Sequence, residues 1–194
     1  MAMSKRQLQK EETRENIIKA AMRLYLRNGF STTTSRVAQE AGLSHGAIFV
    51  HFLTRDDLLL CVLERFEREI GDKLHNLSES AVSVTELLYV HIAVLEKYEC
   101  FYSSLLSDKS SLPEDAKNTL IGIQSVLSWH FRLVMEQEMK NGTAKDIPLY
   151  MLFNTWIGLV HYYLQNADLF APGESVLNRC KSELVTTFVK LISK

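Results

Sequence analysis

Proline is nearly missing from this chain of 194 residues, which holds only three, and glycine is scarce at eight. So few breakers argue against a disordered or low-complexity chain and suit a helical one. Paired cysteines are missing too. Cys61, Cys100 and Cys180 lie far apart, odd in number and without a CxxC spacing, so neither a disulfide framework nor a zinc site is signalled, and a reducing cytosol fits best. No run of about 18 apolar residues occurs, and MAMSKRQLQKEETRE at the start has no apolar core of a signal peptide. Membrane spanning and secretion are disfavoured, and a cytoplasmic protein is expected. There is no Ser/His/Asp order, no phosphate loop and no metal-ligand spacing; His91, Cys100 and His130 stand isolated. The sequence therefore predicts no enzyme, no cofactor and no metal.

What is present is apolar and charged matter in helical order. Apolar residues make up 46% and charged residues 23%, enough to bury a real core in one large domain or in one small and one medium domain. The formal net charge of −1 hides a division. Residues 1–55 carry nine Lys and Arg against four acids, a balance of +5, and the remainder carries thirteen against nineteen, a balance of −6. A basic head on an acidic body suggests a polyanionic partner for the head, although a merely solvated basic face has the same composition.

The whole chain reads as helix. Ile17, Ala21, Leu24 and Tyr25 recur at helical spacing between Glu11 and Asn28, and Asn28-Gly29 offers a left-handed C-cap after which Phe30 folds back as a plug. Thr33 or Thr34 can cap a short helix ending at Gly42, with Val37, Ala38 and Ala41 inward. Thr54 and Asp57 resemble a capping box opening a long helix with Leu58, Leu59, Val62, Phe66 and Ile70. Further helices are predicted near 84–107, 113–140, 147–167 and 174–193, with Asp146 as a cap before Pro148 and a Ser-rich turn ahead of Pro113.

The most telling stretch is AGLSHGAIFVHF, Ala41 to Phe52. It is too short to be a core helix and follows another short helix across a glycine-bearing turn. Two such helices, Thr33 to Glu40 and Ser44 to Val50, make a helix-turn-helix, in which the second helix enters the DNA major groove and the first crosses the phosphates. Bulk on the outer face would hold the backbone off the bases, so Gly46 and Ala47 read as positions left small. Ser44 can cap the helix and turn its amides toward a phosphate. Ile48 and Phe52 face back, with Val37, Ala38, Leu43 and Leu24, into a small core.

The string AGLSHGAIFVHFLTRDDLL, preceded by TTTSRVAQE and by a helix ending in RNGF, resembles the DNA-binding head of the tetracycline-repressor (TetR) family of bacterial transcriptional regulators, over roughly residues 12–60. The resemblance implies an all-α fold with a three-helix head and a helical body that dimerises through its last two helices and encloses a small-molecule pocket. The head is placed at 1–54, with the motif at 33–52, and the body at 55–194. Implied DNA contacts are Thr33, Thr34, Arg36, Ser44, His45, Gly46, Ala47, Phe49, His51 and Arg55. Where the family usually has tyrosine this chain has Phe49, which loses a phosphate-bonding hydroxyl; His45 replaces a common lysine, and Arg55 holds the usual lysine position.

In the body most aromatics are expected to be packing residues, with His91, Tyr102, Trp129, His130 and Trp156 as candidates for an effector pocket. The segment LYMLFNTWIGLVHYYL is apolar nearly all round, and Leu177, Cys180, Leu184, Phe188 and Leu191 form a stripe on the last helix. Both could be buried within one chain; a homodimer through 147–167 and 174–193, matching a palindromic double-stranded operator, is the preferred expectation. The reading is a dimeric, ligand-responsive regulator, a repressor. The alternative is a DNA-binding or interaction protein without a ligand switch.

Overall fold

The computed structural model describes residues 4–81, 83–108 and 112–194; the first three residues of the basic arm and the serines of the turn before Pro113 lie outside the described residues. The head holds one long helix, α1 (Lys5–Asn28), followed by a 3-10 turn (Gly29–Ser31), α2 (Thr34–Glu40) and α3 (His45–His51). The body holds α4 (Arg55–Ser78), α5 (Val84–Glu96), α6 (Glu99–Ser107), α7 (Glu114–Lys140), α8 (Leu149–Gln165), α9 (Ala167–Phe170) and α10 (Val176–Ile192). The fold is all-α, as expected. Among the described residues the one β feature is an isolated bridge, Ala144 to Ser193, which ties the turn after α7 to the C-terminal end of α10. Among them, too, no helix is long and apolar enough to cross a membrane.

Helix starts are set by side chains, and here the structure corrects several sequence expectations. α1 begins at Lys5 rather than near Glu11, because Ser4 and Gln7 form a capping box, a device worth about 1 kcal/mol. Thr33 is the cap of α2, accepting from the Arg36 amide, and Thr54 and Asp57 close the expected box on α4. The stretch 84–107 is two helices, because the chain breaks at Lys97–Tyr98 to seat the Tyr98 ring against Phe66. Pro148, not Asp146, sits at the N-cap of α8, with no side-chain capping bond.

Gly29 ends α1 at φ +62, and a side chain there would strike Ser104 Oγ on α6. That close approach seats the head on the body. Phe30 is buried as a plug, its ring edge-on to Tyr25 at 5.8 Å and to Phe101 of α6 at 5.1 Å. α4 runs from head to body and packs along α7. The stripe on α10 is spent inside the chain: Leu177, Leu184 and Phe188 are buried, with α10 packed on α5 and α8 and the Phe188 ring 5.4 Å from Trp156. Of that stripe Leu191 is exposed and Cys180 half-buried, so most of it is covered within the chain. α8 buries Leu152, Trp156, Ile157, Val160 and Leu164 and leaves Tyr150, Met151 and Tyr162 exposed.

Candidate nucleic-acid interface

The turn between α2 and α3 depends on Gly42, whose φ of +70 an L side chain rarely adopts and whose amide closes onto the Gln39 carbonyl. Leu43 then bonds back to the Ala38 carbonyl, and Asn16 of α1 donates to the Ala41 carbonyl, so the turn is pinned from both sides. Ile48 and Phe52 are buried against Val37, Ala38 and Leu24 in one continuous core. Arg14 of α1 covers the Phe52 ring at 4.9 Å and reaches Cys61 Sγ. The short helix is therefore held mainly by its inner face.

Its outer face is bare. His45, Gly46, Phe49 and Val50 are exposed, at i, i+1, i+4 and i+5, a single stripe at helical spacing. An added Cβ at Gly46 would meet nothing within 4 Å. Ala47 is half-buried at the edge of the stripe. The His45 ring is fixed by Thr34, whose hydroxyl lies 3.0 Å from Nε2, and by the Phe49 ring edge-on at 5.3 Å. Ser44 occupies the N-cap position, but its side chain makes no capping bond, contrary to the role the sequence suggested. Arg36 stands exposed on α2 and makes no ion pair among the described residues.

The structure does not bring every expected residue to that stripe. His51 lies round the helix beside Ile48, its Nδ1 buried without a partner. Burial, together with Lys10 and Arg14, holds its imidazole below the ordinary pKa, so it is a neutral group facing α1. Arg55 is exposed yet donates to the Phe30 carbonyl, which ties it to the head's plug. The sequence reading missed Val50 and Leu53, which are 69% and 86% exposed. The helical spacing of α3 already placed Val50 beside Gly46, one turn on along the same outward face.

The five effector candidates fall into separate clusters. Trp156 donates its indole N–H to His91 Nδ1 at 3.0 Å, and both are sealed in the core. Burial, with a smaller push from His161, drives the His91 pKa down to about 3, so the ring is neutral with its proton on Nε2. Tyr102 is buried with its hydroxyl 3.1 Å from His161 Nε2, and burial raises its pKa. His161 in turn lines a cavity of about 290 Å³ between α6, α7 and α8, with Leu106, Leu120, Ile121, Ile157 and Gln124. Trp129 and His130 belong elsewhere: His130 is buried against His75 of α4 at 3.2 Å, and half-exposed Trp129 borders a cleft between α4 and α7.

Comparison with known proteins agrees with this geometry. Residues 17–62 match the model for bacterial regulatory proteins of the tetR family. The chain is 26% identical over 133 residues to YerO of Bacillus subtilis, an uncharacterised HTH-type transcriptional regulator; the match covers 66% of this chain and 43% of that one. It is 33% identical over 91 residues to the HTH-type transcriptional regulator HbdR of an Aromatoleum species, over 44% and 40% of the two chains. Both matches thus span less than half the length of the relative. Among solved structures, a transcriptional regulator from Saccharomonospora viridis in complex with choline superposes with a TM-score of 0.79 at 18% identity, over 95% of this chain and 99% of that one, a likeness of fold. The helix-turn-helix head thus matches the tetR family of bacterial regulatory proteins over residues 17–62, and the all-helical body shares the fold of the Saccharomonospora viridis regulator.

Proposed function

We propose that the protein is a homodimeric transcriptional repressor that binds a palindromic double-stranded operator and releases it when a small molecule occupies the body. The observation that carries this is the open face of α3 at Gly46, within a stretch, residues 1–55, that carries a net charge of +5. Each head places α3 in a major groove, while Thr33 and Arg36 on α2 and the basic first turns of α1 hold the backbone. Thr34 acts through His45, which it orients. Two heads per operator require a second subunit. The exposed apolar side of α8, with Tyr150, Met151 and Tyr162, supports pairing there, alongside the exposed face of α10.

For the switch, the cavity between α6, α7 and α8 is the best supported effector site, because Tyr102 and Leu106 of α6 lie on it or directly behind it. The same helix packs against α1 and the Phe30 plug. A ligand that displaces α6 would shift the head, and DNA affinity would fall by linkage. That a structural neighbour was solved with choline supports small-molecule responsiveness as such, without naming the effector here.

The test is fluorescence anisotropy of the intact protein on duplex DNA across a salt series, with its mass followed by sedimentation. A dimer with a steep negative salt slope is expected. Arg36→Ala weakens binding to all sequences and makes the slope shallower by about one unit, the signature of one lost phosphate contact. Salt-independent binding, or a monomer on DNA, would refute the reading. Binding that is salt-dependent but indifferent to every metabolite added would favour the version without a ligand switch.

A further inference from the structure

The outward stripe of α3 contains no Arg, Lys, Asn, Gln, Asp or Glu. Those are the side chains that read guanine, adenine or cytosine edges through paired or charged hydrogen bonds. The stripe offers one hydrogen-bonding side chain, His45, and its ring already bonds Thr34. Everything else on it is apolar: Phe49 is 42% exposed, Val50 69%, and Leu53, just past the helix end, 86%. Apolar residues exposed singly are ordinary, but here they are contiguous with the open backbone at Gly46, on the side turned away from the core. In the major groove one base feature complements an aliphatic group, the 5-methyl of thymine.

We propose that α3 reads thymine by its methyl group, with Val50 as the specificity-determining side chain and Phe49 and Leu53 extending the apolar contact. This rests on α3 being the groove helix. The operator half-site must then carry thymine at a fixed position opposite Val50, and hydrogen-bond readout is confined to the neighbourhood of His45. Close approach at Gly46 is what allows so short a side chain as valine to reach the base. Specificity of this kind is graded rather than absolute, because a missing methyl leaves no buried polar group unpaired.

The experiment selects duplexes from a random pool with the full-length protein, then replaces each thymine of the selected site in turn with deoxyuridine, which removes only the methyl. Selected half-sites should share a thymine, and deoxyuridine there should weaken binding roughly fourfold, the factor that ~0.8 kcal/mol per buried methyl-sized group gives at ~1.4 kcal/mol per tenfold. Val50→Ala, at an exposed position that leaves folding intact, should cost a similar factor on the thymine duplex and should abolish any further loss on deoxyuridine. Half-sites indifferent to every deoxyuridine replacement, or full thymine preference in Val50→Ala, would overturn the proposal while leaving operator binding intact. Unchanged DNA affinity in Val50→Ala would mean that the stripe serves another partner, such as a protein, and would overturn it as well. Failure to select any sequence would overturn the proposal together with the reading of the protein as an operator-binding regulator.

Discussion

In the head, a seven-residue helix leaves His45, Gly46, Phe49 and Val50 in water. In the body, His91, Tyr102 and Trp156 are sealed from it, and each polar group finds a partner inside the chain. The same helical material is thus used in opposite senses. The head keeps polar and apolar groups of α3 outward, the face proposed above to meet DNA. The body turns aromatic and imidazole groups inward, where burial fixes their protonation. An exposed valine on α3 and a buried histidine on α5 both break the usual partition of residue types.

The largest expected effect lies in the body. Trp156→Ala removes a fully buried ring, breaks its contact with Phe188 and leaves His91 Nδ1 unpaired, at a cost of about 3–5 kcal/mol in denaturant unfolding. DNA binding by the variant at low temperature should fall only as far as the folded fraction does. A selective loss of DNA affinity in a protein that remains fully folded would break the division between head and body.

A smaller effect is expected from acid. The folded state holds His91 neutral down to about pH 3, whereas in the unfolded chain it titrates near 6.5. Below pH 6.5 the unfolded state therefore binds the extra proton, and stability declines by up to about 1.4 kcal/mol per pH unit as the pH falls toward 3. His51 and His130, also held below their ordinary pKa, act in the same direction. Unfolding midpoints measured from pH 7 to 4 should show this decline, and His91→Gln should flatten part of it. An unaltered acid limb in that variant would mean that His91 is not the group that titrates.

The head was legible in the sequence because its structure is local. Gly29 and Gly42 at positive φ, Thr33 as a cap and the box at Thr54 and Asp57 each follow from residues within a few positions of one another. The start of α1 was missed because a capping box of Ser4 and Gln7, lying in a charged segment, lacks the apolar periodicity that marks helices. The break at Lys97–Tyr98 was not legible, because it follows from where Phe66, a residue of another helix, leaves room for a ring. The pocket candidates were a list of aromatics, and their sorting into the His91–Trp156, Tyr102–His161 and His75–His130 pairs depends on contacts across 55 to 65 positions of chain. The apolar stripe on α10 pointed to a partner subunit, but α5 and α8 cover it, since amphipathicity shows that a face is buried and not by what.

Gly46→Leu separates the two uses of helix most directly. The position is helical, exposed and free of neighbours within 4 Å, so the substitution should leave the fold intact and raise stability by up to about 0.8 kcal/mol through helix propensity. Measured by anisotropy on a selected duplex, its affinity should fall on the order of a hundredfold or more, about 2.8 kcal/mol, because the added side chain holds α3 away from the base edges. A folded Gly46→Leu protein that binds the duplex as tightly as the parent would contradict the account.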